Sequence, residues 1–298
     1  MKIAQFEHPD GACIGIQLRG RWINYTKAEA AYSLVVHNMH IEPMTSLAKL
    51  IQSRGFDLEE FKTVVEFVKK HRLEKRLELD KNVVLKAPIQ CPPKIVALGL
   101  NYALHAKEGN YQVPEEPIIF VKAGSSVIGP NETVRIPRGL GRMDHEVELA
   151  VIIGKKATEV TKRDAYKYVA GYAIANDVSA RDLQAKDIEK RRPWFRSKSF
   201  DTFTPLGPWI VTTDEIKPPV HLKLECRVQG KIRQKSNTSD MIFDIPTQIE
   251  FISKHITLEP GDVISTGTPE GIGPITDGDT VVCRIDRIGE LRNPVQYR

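Results

Sequence analysis

Cysteine is scarce in this 298-residue chain, with only Cys13, Cys91, Cys226 and Cys283. Their separations fit no zinc or redox spacing, which excludes a disulfide scaffold and a zinc finger. Reduced thiols in a reducing, cytoplasmic setting are expected. Long apolar runs are missing too, and none nears the ~20 residues that span a membrane. The opening residues, Met1 to His8, have no signal-peptide character. No internal repeat and no low-complexity tract is present, so a solenoid is excluded. An excess of one charge is also lacking. Lys and Arg number 43 against 38 Asp and Glu, a net charge of +5. The densest basic runs are Lys69-Lys70-His71-Arg72 and Lys190-Arg191-Arg192. Both fall at the ends of expected helices, where cations suit the dipole. No aromatic interleaving accompanies them, so neither nucleic acid nor membrane is an expected partner.

What is present describes a globular chain with ample core: 41% apolar and 27% charged residues. Lys2 to Glu7 and Ala12 to Leu18 read as strands joined at Asp10-Gly11. Thr26 with Glu29, and Asp57 with Glu60, have capping-box spacing. A short helix is expected from Ser46 to Arg54, stopped by Gly55. Phe61, Val64, Val65 and Val68 form a helical stripe. Residues 1–76 therefore read as a small α+β domain, followed by a linker at 77–93 punctuated by Pro88, Pro92 and Pro93. Residues 94–298 carry many short strands and few helices. Without βαβ alternation, they predict an α+β, mostly β architecture, a sheet-rich roll or sandwich.

The stretch Asp144-His145-Glu146-Val147-Glu148 runs into the apolar Leu149 to Ile153 and ends at Gly154, so one strand is expected. Alternation puts Glu146 and Glu148 on one face, roughly 7 Å apart. Like charges that close need a cation between them, and carboxylates are natural ligands of hard divalent ions. His145 should face away. Asp177 ends a second apolar strand and supplies a third carboxylate, with Ser179 as the expected cap of the next helix and Gln184 early in it. His105 and Glu108 are i,i+3 neighbours, an arrangement that orients an imidazole as a base. Lys198 beside the carboxylates would stay charged and stabilise an enolate. Thr266-Gly267-Thr268 offers backbone N–H groups and a hydroxyl as an anion seat.

In order, the chain carries Gly-x-Asn-Tyr-x-x-His-x-x-Glu, Phe-x-Lys, Asp-x-Glu-x-Glu-Leu, Asn-Asp-x-Ser-Ala-Arg-Asp-x-Gln, Lys-Ser-Phe-Asp and Thr-Gly-Thr-Pro. This series, from about Lys94 to Arg298, resembles the fumarylacetoacetate hydrolase family, in its longer bacterial form with an added N-terminal segment. The resemblance implies a mixed β-sandwich roll, usually a homodimer. It implies Glu146, Glu148 and Asp177 as ligands of Mg2+, Mn2+ or Ca2+, and His105, Glu108 and Lys198 as catalytic residues. It places substrate contacts at Lys122, Arg181, Gln184, Gly267 and Thr268. The chain departs from the family at His145, where an aromatic is common, and at Ala123, where proline or serine is commoner. The implied substrate is a small 2-oxo acid. Hydrolysis of a C–C bond in an acylpyruvate or fumarylpyruvate is the preferred expectation, because the His105–Glu108 pair is intact. Decarboxylation of oxaloacetate and isomerisation of a hydroxymuconate-type dioate use the same centre. A binding scaffold that has lost catalysis is the alternative of another class.

Overall fold

The computed structural model describes residues 1–298. Its first strands are β1 (Lys2–His8), β2 (Gly11–Leu18) and β3 (Arg21–Asn24). The turn before β2 uses Gly11 at φ +115°, a conformation that suits glycine. Helices α1 (Tyr25–His37), α2 (Leu47–Arg54) and α3 (Leu58–Lys70) follow. In α3 the expected stripe is buried, and the Asp57 carboxylate accepts the N–H groups of Glu59 and Glu60. Ser46 and Gly55 bound α2 as expected. The expected Thr26–Glu29 box does not form. Asn24 caps α1, Thr26 binds the Ile14 N–H, and Glu29 pairs with Arg54. A tertiary partner outcompetes the local one in each case.

The rest of the chain comprises β4 (Val84–Lys86), β5 (Ile95–Gly99), α4 (Ala103–Glu108), β6 (Ile118–Lys122), β7 (Val127–Ile128), β8 (Val134–Ile136) and β9 (Met143–His145). Next come β10 (Val147–Ile153), β11 (Val169–Asn176), β12 (Ser179–Ala180), α5 (Arg181–Glu189), α6 (Phe195–Lys198), β13 (Thr204–Thr212), β14 (Lys223–Val228) and β15 (Lys231–Asn237). The last are α7 (Ile245–His255), β16 (Val263–Ser265), β17 (Gly273–Pro274), β18 (Thr280–Ile285) and β19 (Gly289–Tyr297). An eleven-stranded sheet runs β3-β2-β1-β13-β11-β10-β16-β5-β6, with β4 on β1 and β7 on β13. A five-stranded sheet, β15-β14-β18-β19-β8, and a three-stranded one, β12-β9-β17, complete the mixed α+β fold.

Two corrections to the sequence reading follow. Residues 77–93 are not a free linker, because β4 lies among them and pairs with β1. Residues 1–76 do not close a sheet of their own, because β1 pairs with β13 and one core joins Ile3 and Phe61 to Ile152 and Ile210. Strand β10 explains the arrangement. It is buried on both faces: Val147, Leu149, Val151 and Ile153 enter the core shared with the five-stranded sheet, while Ala150 and Ile152 face the N-terminal helices. Glu148 shares the second parity. It lies near the strand's start, where the apolar cover ends and a cavity opens.

Candidate metal-binding active site

The expected single strand from Asp144 is broken at Glu146, between β9 and β10. There the backbone leaves the sheet ladder. The Glu146 N–H donates to Asn176 Oδ1 at 2.9 Å, and the Val147 N–H donates to Gln234 Oε1 at 3.0 Å. Asp177 follows the end of β11, and its N–H donates to the Glu146 carbonyl at 2.9 Å. The three carboxylates converge as the sequence suggested. One oxygen from each of Glu146, Glu148 and Asp177 lies within 4.8 Å of the others, and all three side chains are buried. His145 faces the other way and donates from Nδ1 to Gln234 Oε1 at 3.0 Å.

Basic side chains frame the cluster. Lys198 Nζ bridges Glu146 Oε2 at 2.7 Å and Asp177 Oδ2 at 2.6 Å. Burial works against the Lys198 charge, but Asp177 and Glu146 outweigh it and the ammonium is held above its ordinary pKa. Lys122 donates to Asp177 Oδ1 and to the Phe203 carbonyl. It thus supports Asp177 from behind and is not among the residues that line the cavity. Arg181 binds Glu146 and donates to Asp144 Oδ2 at 2.8 Å and Gln184 Oε1 at 2.5 Å. Ser179 does not cap α5; its hydroxyl donates to Glu146 Oε1 at 3.0 Å.

The two glutamates differ sharply. Burial pushes the Glu146 carboxyl up, yet Lys198, Arg181 and His105 together hold it well below the usual range. Glu148 has no cation of its own. Burial first, then the Asp177 and Glu146 charges, raise its pKa to about 8. Its Oε2 accepts from the Ser265 hydroxyl at 2.5 Å and the Gly267 N–H at 3.0 Å, while Oε1 has no partner. A buried carboxyl with a free oxygen, facing two other carboxylates, fits a hard divalent cation. The Gly267 N–H is consequently not free for a substrate. The Thr268 hydroxyl is also engaged, donating to the Val147 carbonyl at 2.9 Å.

The cavity holds about 190 Å³, small beside the ~300–1,000 Å³ of drug-sized sites. Leu98, Phe120, Ile188, Trp194 and Ile272 make its apolar wall, and His105, Gln184 and Thr268 join the charged groups on the other side. His105 Nδ1 lies 3.3 Å from Glu108 Oε2, and Glu108 accepts the Gly271 N–H at 3.1 Å. The segment that carries His105 and Glu108 is anchored at its start. Asn101 is buried and bonded to Thr266 and to both backbone groups of Phe243. Asp144, Ser179, Gln234 and Ser265 were not foreseen as site residues. Alternation did place Asp144 on the Glu146 face; the other three carry no local signal.

The three buried carboxylates could hold a divalent cation, and a bridging lysine and a histidine–carboxylate pair stand around the same small cavity. Residues 94–296 match the fumarylacetoacetate hydrolase C-terminal family, and the chain belongs to that family. It is 52% identical over 204 residues to an uncharacterised protein of Pyrococcus abyssi, covering 68% of this chain and 90% of that one. It is 40% identical over 277 residues to a mitochondrial oxaloacetate tautomerase of Rattus norvegicus, covering 85% and 88%. Among solved structures, a 5-carboxymethyl-2-hydroxymuconate delta-isomerase from Mycobacterium smegmatis aligns with TM-score 0.74 and 36% identity, over 100% and 99% of the chains. The fumarylpyruvate hydrolase from Pseudomonas aeruginosa, in complex with Mn2+ and pyruvate, aligns with TM-score 0.66 and 32% identity, over 69% and 90%. No helix is long and apolar enough to cross a membrane.

Proposed function

We propose that this chain enolises a small 2-oxo acid, with Mg2+ or Mn2+ held by Glu146, Glu148 and Asp177, and that it interconverts the keto and enol forms of oxaloacetate. The observation that carries the reading is a proton-carrying pair at the cavity, His105 with Glu108, opposite a buried carboxylate triad. The likeness to an oxaloacetate tautomerase over 85% of the chain supports the choice of substrate.

A bound divalent ion would supply Lewis acidity toward the substrate's 2-oxo and carboxylate oxygens. The protein groups do the rest. Glu108, held by the Gly271 N–H, accepts from His105 Nδ1. That fixes the tautomer whose Nε2 is free to act as base. His105 takes the proton from C3, the electron pair moves to the 2-oxo oxygen, and the imidazolium returns its proton to that oxygen. The Lys198 ammonium opposes the negative charge that develops. Thr268 and Gln184, which line the cavity, orient the carboxylate, and the apolar wall keeps water from the carbanion.

C–C hydrolysis of an acylpyruvate or fumarylpyruvate is the second reading. The same pair would activate water, and a Mn2+- and pyruvate-bound fumarylpyruvate hydrolase shares the fold. One experiment separates them. Purified protein with Mg2+ or Mn2+ is given enol oxaloacetate, and decay of the enol ultraviolet absorbance is followed. Acylpyruvate, fumarylpyruvate and a hydroxymuconate-type dioate are run in parallel. Metal-dependent acceleration on oxaloacetate without CO2 release is expected. Turnover of only an acylpyruvate or fumarylpyruvate would establish the second reading instead.

A further inference from the structure

Gln234 lies on β15, in the five-stranded sheet, yet its carboxamide is buried against the segments that carry the carboxylate triad and the Thr268 turn. All four of its hydrogen bonds go to the two segments that build the site. Oε1 accepts from the Val147 N–H at 3.0 Å and from His145 Nδ1 at 3.0 Å. Nε2 donates to Thr268 Oγ1 at 2.7 Å and to the Pro269 carbonyl at 2.8 Å. The orientation of the amide is forced, because the Val147 N–H can only donate and the Pro269 carbonyl can only accept. His145 must then carry its proton on Nδ1. Its Nε2 is buried and has no hydrogen-bond partner, so Gln234 alone fixes that ring.

We infer that Gln234 is a positioning residue for the cation and substrate site, a role that rests on the function proposed above. Val147 lies between Glu146 and Glu148, so the Oε1 end sets the span that carries two of the three carboxylates. The Nε2 end sets the turn whose Gly267 N–H holds Glu148 and whose Thr268 faces the cavity. Direct bonds already tie these segments, since the Thr266 N–H donates to the Leu149 carbonyl at 3.1 Å and the Thr268 hydroxyl to the Val147 carbonyl at 2.9 Å, but none of them reaches the Val147 N–H or the Pro269 carbonyl. One side chain from the opposite sheet therefore adds a tie at the outer end of both walls. Without it, the Val147 N–H and the Pro269 carbonyl would be buried and unpaired, and each wall would relax to find another partner.

The test uses two variants of the full chain. Gln234→Met keeps the length and removes every hydrogen bond. Gln234→Glu keeps both acceptor bonds at Val147 and His145 but loses both donors at the turn. Mn2+ affinity is measured from the paramagnetic resonance of the free ion, and oxalate affinity by calorimetry on Mn2+-loaded protein. Circular dichroism and a melt in EDTA check folding. Gln234→Met should weaken Mn2+ binding by about 10–100-fold, the usual effect of losing a group that orients ligands. Gln234→Glu should hold Mn2+ more nearly as wild type does and weaken oxalate by about tenfold or more. Both variants matching wild type within about twofold would overturn the assignment while leaving the proposed function standing. Should Gln234→Met not fold, the oxalate result for Gln234→Glu decides. Loss of fold in both would make Gln234 a purely structural residue and overturn the assignment. Wild-type protein that binds no Mn2+ would remove the triad reading, and this one with it.

Discussion

Replacing Glu148 by Gln should make the metal-free protein more stable while abolishing its use of metal. At pH 7 an unfolded Glu148 is ionised, with an ordinary value of 4.5, whereas in the fold its pKa stands at about 8. Folding must therefore neutralise it. At about 1.4 kcal/mol for each pH unit between 4.5 and 7, that costs about 3 kcal/mol. Gln is neutral already and nearly isosteric. Its Oε1 can accept from Ser265 and Gly267 as Glu148 Oε2 does, and its amide group takes the place of the unpartnered Oε1. The burden of about 3 kcal/mol disappears, which in a melt in EDTA is worth roughly 5 °C or more. In Mn2+ at a hundredfold excess over Kd, wild type should gain about 2.7 kcal/mol and the variant little. The gap between the two proteins should therefore close. Differential scanning fluorimetry in EDTA and in Mn2+, with an activity assay beside it, reads all of this. A variant that melts below wild type in EDTA, or that keeps the full Mn2+ shift, would refute the reasoning.

Metal affinity should rise about tenfold per pH unit between pH 6 and 7.5, because Glu148 must release its proton on ligation. Titrations in two buffers of different ionisation enthalpy should count about one proton, and a flat affinity would disprove it. The sign for stability is opposite. A raised carboxyl pKa means the metal-free fold is favoured below pH 4.5 and weakens as pH rises toward 8. His105→Ala should slow enolisation by about 10²–10⁴-fold with Mn2+ affinity retained, since His105 touches no triad oxygen in the hydrogen-bond network. An undiminished rate would reduce the pair to a surface contact. Cleavage by a protease near Gly109 should slow when Mn2+ and oxalate are added, as expected of a lid formed by the segment from Tyr102 to Gln112. An unchanged cleavage rate would count against a lid.

Much of this centre was legible in the residues because its signals are local. Glu146 and Glu148 stand two apart and converge as alternation suggested, although the strand itself breaks at Glu146, and His105 meets Glu108 through the spacing of a helix turn. Asp57, Ser46 and Gly55 bound their helices from short-range chemistry alone. Where a distant partner competed, the local pattern misled. Thr26 and Glu29 had a capping-box spacing, but Ile14 and Arg54 claimed them. Ser179 sat where a cap belongs, but Glu146 claimed its hydroxyl. The 77–93 stretch looked like a linker because prolines break periodicity, and nothing local announces that Val84 to Lys86 pairs with β1.

The sequence by itself determined which residues carry charge and chemistry, which face each takes, and in what order they come. Those follow from strand and helix periods and from residue type. Only the tertiary structure decided that Lys122 stands behind Asp177, that Thr268 spends its hydroxyl on Val147, and that Gln234 crosses from the other sheet to join the two walls. These depend on how strands far apart in the chain lie side by side. Pairing partners are chosen by the packing of the whole core, so no window of neighbouring residues records them.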